Sequence, residues 1–246
     1  MVPSLALTFV LTFALGSPTN LPAAEPDSPL PADPVAVTIT NLPLGLVRVN
    51  AQEGWLSFPA SINQRTGVVE YVVVITTGKT HESVLRTEAE PHHIHVGMLL
   101  LGAQPPSTPT FPADLATPPP GDPVHIQVLW STPEGPVQRP LEDLVVTTNQ
   151  WQMLPRGPWT YNGSYLSRGV FVAQNEGSIV ALQIDPSALI NNPRPGRDND
   201  DLHFVNPAVL PPAGTPLEVR FRLATPAAPP GAGTTTAPAL TPPSPP

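Results

Sequence analysis

The chain contains no cysteine. That absence excludes disulfides, iron–sulfur ligation and lipid attachment through a thiol. Charge is scarce as well: Asp, Glu, Lys and Arg make up 12% of the 246 residues, 19 acidic against 11 basic, for a net charge of −8. No basic stripe runs along any segment, so nucleic acid is not an expected partner. No internal repeat is present. The Gly-x-Ser-x-Gly elbow of many hydrolases and the His-Glu-x-x-His ligand pair of zinc proteases are both missing.

Proline is abundant instead, with 38 residues, about three times its usual share. Much of it lies at the two ends. Residues 1–24 read as a signal peptide: an apolar run over 5–15 precedes small residues at Ala14-Leu-Gly16 and Pro22-Ala-Ala24, either of which suits cleavage. That run falls short of the roughly 20 apolar residues that span a bilayer, so no transmembrane helix is expected in the mature chain. Residues 25–35 form a Pro-rich linker and 224–246 a Pro/Ala/Thr-rich tail. Neither can bury enough apolar surface to offset chain entropy, and both are expected to be extended and disordered. Between them, 36–223 has the size of one large domain.

Within that domain the patterning is mainly strand-like. Residues 46–51 and 55–62 alternate in part, and 68–77 is a β-branched and aromatic run that should pair with 55–62 as a hairpin around 63–67. Val124, Ile126, Val128 and Trp130 occupy one face of a half-buried strand, and 217–223 alternates strictly. Residues 159–165, 170–173 and 178–184 read as further strands, and 185–190 as a single helical turn. A helix is expected over 91–101, with Pro91 at its first position and Gly102 beyond its end; the rival reading is a strand, which would align His93 with His95. The sum is an α+β fold, a mainly antiparallel sheet with one or two short helices and Pro-rich disordered termini.

Four of the six histidines, His81, His92, His93 and His95, fall within one short segment. Neutral imidazole is the commonest metal ligand. His81 and Glu82 leave a strand end while His92 and His95 share a helix face, and together these four offer ligands for zinc or copper. Asp198, Asp200 or Asp201 would orient such ligands. The bland reading packs His95 against backbone and leaves His92 and His93 in water. Ser83 beside His81 and Glu82 has the residue types of a triad, but neighbouring side chains on a strand diverge. Asp198-Asn-Asp-Asp201 lacks the glycine and distal glutamate of a calcium loop. Trp151, Trp159, Tyr161 and Tyr165 offer either a stacking surface or core packing, and large aromatics are more often core.

Several motifs together resemble the YdjY-domain family: Lys79-x-His81-Glu82-Ser83, Pro91 through His95 to Met98 and Gly102, Gly121-Asp-Pro, Trp159-x-Tyr161-x-Gly163-Ser164, and Asp185-Pro with Asp200-Asp201 and Gly214-Thr-Pro. The resemblance implies an exported bacterial protein, periplasmic or secreted. It singles out Lys79, His81, Glu82, Ser83 and His95 as candidate ligand-binding residues and assigns no reaction. The expectation is a binding domain for an unknown ligand or envelope protein, its pocket lying where the strand ending near Thr77 meets the helix starting at Pro91. The alternatives are a metal-dependent or serine-type hydrolase and a structural envelope protein.

Overall fold

The alternating runs of the sequence build the wall of the fold. In the computed structural model, which describes residues 42–107, 110–148 and 151–224, the order begins with β1 (Leu42–Leu44), β2 (Val47–Asn50), β3 (Trp55–Ile62), β4 (Tyr71–Ile75), β5 (Ser83–Thr87) and helix α1 (Pro91–Leu100). Next come β6 (Asp122–Thr132), β7 (Gly135–Pro140), β8 (Val145–Thr147), β9 (Trp159–Tyr161), β10 (Leu166–Ser167), β11 (Val170–Phe171) and the short helix α2 (Val172–Glu176). The order ends with β12 (Ser178–Ala181), β13 (Ile190–Asn191), β14 (His203–Val205) and β15 (Pro216–Leu223). The expected signal peptide and linker, and the expected tail beyond Ala224, lie outside the described residues.

Eight strands close on one another in the order β3–β15–β6–β9–β13–β12–β4–β5, and β5 returns to β3 through Ser61↔Arg86 and Ile62↔Leu85. Two of the pairings, β4–β5 and β12–β13, are parallel. The expectation of an α+β fold with a mainly antiparallel sheet is therefore corrected: this is a mostly-β protein, 40% strand against 12% helix, built on a closed mixed barrel. Alternation reports which face of a strand is buried. It carries no information on whether the sheet edges meet.

The expected hairpin of 55–62 with 68–77 does not form. β3 lies between β2 and β15 and touches β5, whereas β4 lies between β5 and β12. Asn63 supplies the reason. Its Nδ2 donates to the carbonyls of Thr80 (2.5 Å) and Ser83 (2.8 Å), and its backbone N–H donates to Val84 O (2.8 Å), which ties the end of β3 to β5. The strand expected over 159–165 stops at Tyr161, because Gly163 and Ser164 take left-handed backbone with φ of +77° and +58°. The strand expected over 170–173 turns into α2 after Phe171.

The barrel interior is filled by side chains. Phe221 faces Leu56 on β3 and Ile126 on β6, and Val219 faces Phe58 and Val128. Phe58 and Phe221 meet edge to face at 5.3 Å. Each such side chain, fully buried, stabilises by about 1.5–3 kcal/mol. Helix α1 seats Ile94 and Met98 in this core. Gly97, unfavourable within a helix by about 1 kcal/mol, lets it approach: a Cβ there would lie 3.0 Å from Leu56 Cδ2 and 3.1 Å from Val49 Cγ2.

Candidate functional site

Seating Ile94 and Met98 in the core turns His95 toward β9 and the loop after it. The buried Tyr161 hydroxyl lies 2.7 Å from His95 Nδ1. Burial, together with the nearby Asp122 carboxylate, pushes the Tyr161 phenol far above its ordinary range, so the hydroxyl stays protonated and is able to donate to Nδ1. Burial lowers the His95 pKa, so the ring is neutral at pH 7. A neutral imidazole that accepts at Nδ1 carries its proton on Nε2. Among the described residues no protein group is hydrogen-bonded to His95 Nε2.

His95 borders a cleft of about 500 Å³ lined also by His92, Val96, Pro105, Pro106, Ser107, Gly163, Ser164, Tyr165, Leu166 and Phe171. Phe171 flanks the imidazole with ring centroids 5.0 Å apart. The loop fits closely, since a Cβ on Gly163 would stand 2.6 Å from Pro105 Cβ and 3.3 Å from His95 Cε1. Ser164 Oγ is spent on structure: it donates to Ser187 O (2.8 Å) and accepts from Ala173 N (3.1 Å). The lip of the cleft is apolar and open to solvent, with Leu166 71% exposed and Val96 39%. Concavities of about 690 and 590 Å³ lie elsewhere, and several charged groups there are engaged locally: Glu218 with Arg220, Arg222 with the Glu53 carbonyl, and Asp122 with the Gln104 N–H.

Of the residues singled out by sequence, His95 and His92 border this cleft; Lys79, His81, Glu82 and Ser83 do not. Lys79, the sole lysine of the chain, donates to the Tyr71 hydroxyl (2.5 Å) and lies 3.9 Å from Asp185 Oδ2. The Tyr71 hydroxyl donates in turn to Asp185 (3.0 Å). Burial first and the Asp185 charge second keep this phenol protonated, its pKa driven well above the ordinary value. His81 stands in solvent on a 3-10 turn, 3.6 Å from Glu82. Ser83 is buried, and its Oγ accepts from Asn63 Nδ2 at 3.3 Å. No hydrogen bond or ion pair among the described residues joins the 79–83 turn to His95, and Ser83 has no histidine partner.

The two regions connect indirectly through a buried polar skeleton. Asp185 N donates to Asn191 Oδ1 (2.9 Å), Asn191 Nδ2 donates to Asn162 Oδ1 (3.0 Å), and Asn162 precedes the cleft loop. The Lys79–Tyr71–Asp185 cluster thus braces the frame that holds the loop after Tyr161. Asn162 is itself buried, with Nδ2 bonded to the Pro120 carbonyl, so the run Asn162-Gly163-Ser164, which has the spacing of a glycosylation sequon, offers no attachment point for a glycan.

Donor atoms that could share a metal ion belong to Glu90, His92 and His93 among the described residues. The expected set of His81, Glu82, His92 and His95 is not brought together in that way. The aromatic residues divide: Trp159 and Tyr161 are core, Tyr165 lines the cleft, and Trp151 is exposed against Phe204 at 5.7 Å. Sequence reasoning missed Phe171, Leu166 and Gln174, and read Tyr161 as a stacking surface or core packing without a link to His95. The available signal was that a buried tyrosine hydroxyl needs a partner.

Fold and cleft together define a closed mixed β-barrel protein with a lateral cleft beside a tyrosine-supported histidine. The model of the YdjY domain matches residues 47–222, and the chain belongs to that family. No curated protein matches the sequence, and no solved structure matches the fold.

Proposed function

We propose that this chain is an exported bacterial binding domain whose cleft takes a small, largely apolar molecule bearing an oxygen acceptor. The observation that carries this reading is His95, whose Nδ1 pairs with a buried tyrosine hydroxyl while Nε2 has no protein partner among the described residues, set among apolar walls; in the reading, Tyr161 donates to Nδ1 and Nε2–H is the donor offered to the ligand. A volume of about 500 Å³ suits a small organic ligand, and a few placed polar groups in an apolar cleft are the usual recipe for such sites. The exposed Leu166 and Val96 at the lip are apolar surface that an occupant would cover. Export rests on the apolar run over residues 5–15. Chemistry at a serine gains no support, since Ser83 and Ser164 are both tied to backbone or structural partners.

The test is a titration of 15N-labelled protein with medium-chain aliphatic and aromatic carbonyl compounds. Shifts should concentrate on His95, Leu166 and Phe171. His95→Phe should weaken binding about fivefold, the worth of one neutral hydrogen bond, and Leu166→Asp should weaken it about tenfold through lost apolar burial. Shifts confined to another surface, or affinities unchanged in both variants, would overturn the reading.

A further inference from the structure

Glu90, the residue before α1, points its carboxylate back at the first helical turn. Its Oε2 lies 3.2 Å from His92 Nδ1 and 3.6 Å from His93 Nδ1. The two imidazoles pack with centroids 4.0 Å apart. Gln174 on α2 brings a further oxygen, Oε1, to 3.1 Å from His92 Nδ1. We propose that these residues form a binding site for a divalent transition ion of borderline softness, zinc or copper, with Glu90, His92 and His93 as ligands and Gln174 as a fourth oxygen donor.

Three observations support the site. The separations of 3.1, 3.2 and 3.6 Å bracket the edge of a tetrahedron with metal–ligand bonds of 2.0–2.1 Å, about 3.4 Å. His93 is seated over Gly45, where a Cβ would lie 2.6 Å from Nδ1, so a glycine turn leaves the room the ring occupies. The side chains of Glu90, His92 and His93 are all partly open to solvent, which leaves an entry path for the ion. The positive end of the helix dipole opposes a cation here, and the Glu90 carboxylate offsets it. Binding would move the His92 proton from Nδ1 to Nε2, with Nδ1 donating its lone pair to the ion. The set is distinct from His95, whose Nδ1 is taken by Tyr161.

The experiment uses untagged protein and the metal alone. Zinc and copper titrations by calorimetry should show one ion per chain, and cobalt should give the intense visible bands of a four-coordinate site. His93→Ala and Glu90→Gln should each weaken binding by about tenfold or more, since even residues outside the ligand set cost that much. His81→Ala should leave it unchanged. Glu90→Gln keeps the shape of the side chain, so its effect is not one of misfolding. Absence of one-to-one binding at about 100 μM metal, or binding that survives His93→Ala and Glu90→Gln, would overturn the proposal. Neither result touches the reading of the His95 cleft, whose ligands are tested without metal.

Discussion

Acidification from pH 7 to pH 4 should cost the folded state about 3 kcal/mol through His203 alone. This side chain on β14 is 1% exposed, and neither ring nitrogen has a hydrogen-bond partner. Burial foremost, and the Arg194 charge second, depress its pKa from 6.5 to about 4. The unfolded chain therefore takes up a proton near pH 6.5 that the folded chain refuses until about pH 4. The stabilisation of the neutral ring is complete above 6.5 and is lost as pH falls through that window. At about 1.4 kcal/mol per pH unit across most of the window, the sum reaches about 3 kcal/mol. His203→Leu removes the titrating group and two unsatisfied nitrogens while keeping an apolar fill. Urea unfolding of both proteins at pH 7, 5.5 and 4.5 measures the difference. The advantage of the leucine variant should widen steadily as pH falls. A difference that stays constant with pH, or a His203 resonance that titrates near its ordinary value, would refute the reasoning.

Two further substitutions probe the frame. Arg194→Ala removes a guanidinium that is bonded to Glu142 (3.0 Å), Pro155 O (2.5 Å) and Gly157 O (2.8 Å) and lies over the Trp159 ring; it leaves Glu142 buried and uncompensated, so urea unfolding should show a loss of about 3–5 kcal/mol. Gly121→Ala places a Cβ 2.2 Å from the Tyr161 carbonyl oxygen at a φ of +144°, which forces β6 from β9 and should cost about 3 kcal/mol or more. An unchanged melting temperature in either variant would contradict the corresponding contact.

Much of the wall was legible in the sequence, because Val124 to Trp130 and 217–223 bury alternate residues in a period that matches β6 and β15. Helix α1 was legible from Pro91 at its start and Gly102, with φ of +93°, beyond its end. Closure was not. β5 lies within the histidine-rich segment, where attention to imidazoles hides a strand of Val84 and Leu85, and its parallel pairing with β4 across only residues 76–82 is far shorter than an ordinary crossover. The site was half legible. His95 stood out by residue type, but Tyr161 lies 66 positions away and meets it only once the barrel closes. Lys79 and Asp185 stood out too, and they brace the frame through Tyr71 instead of lining the cleft. Adjacency of His81, Glu82 and Ser83 along the chain carried no information about which of them share a surface.

The most direct measurement is a long-range 1H–15N correlation of the His95 ring, recorded with and without a bound carbonyl compound. The account predicts a neutral ring protonated on Nε2 at pH 7, an Nδ1 shift typical of an acceptor that moves in Tyr161→Phe, and an Nε2–H resonance displaced by the ligand. A ring protonated on Nδ1, or an Nε2–H unaffected by any ligand that binds, would contradict it.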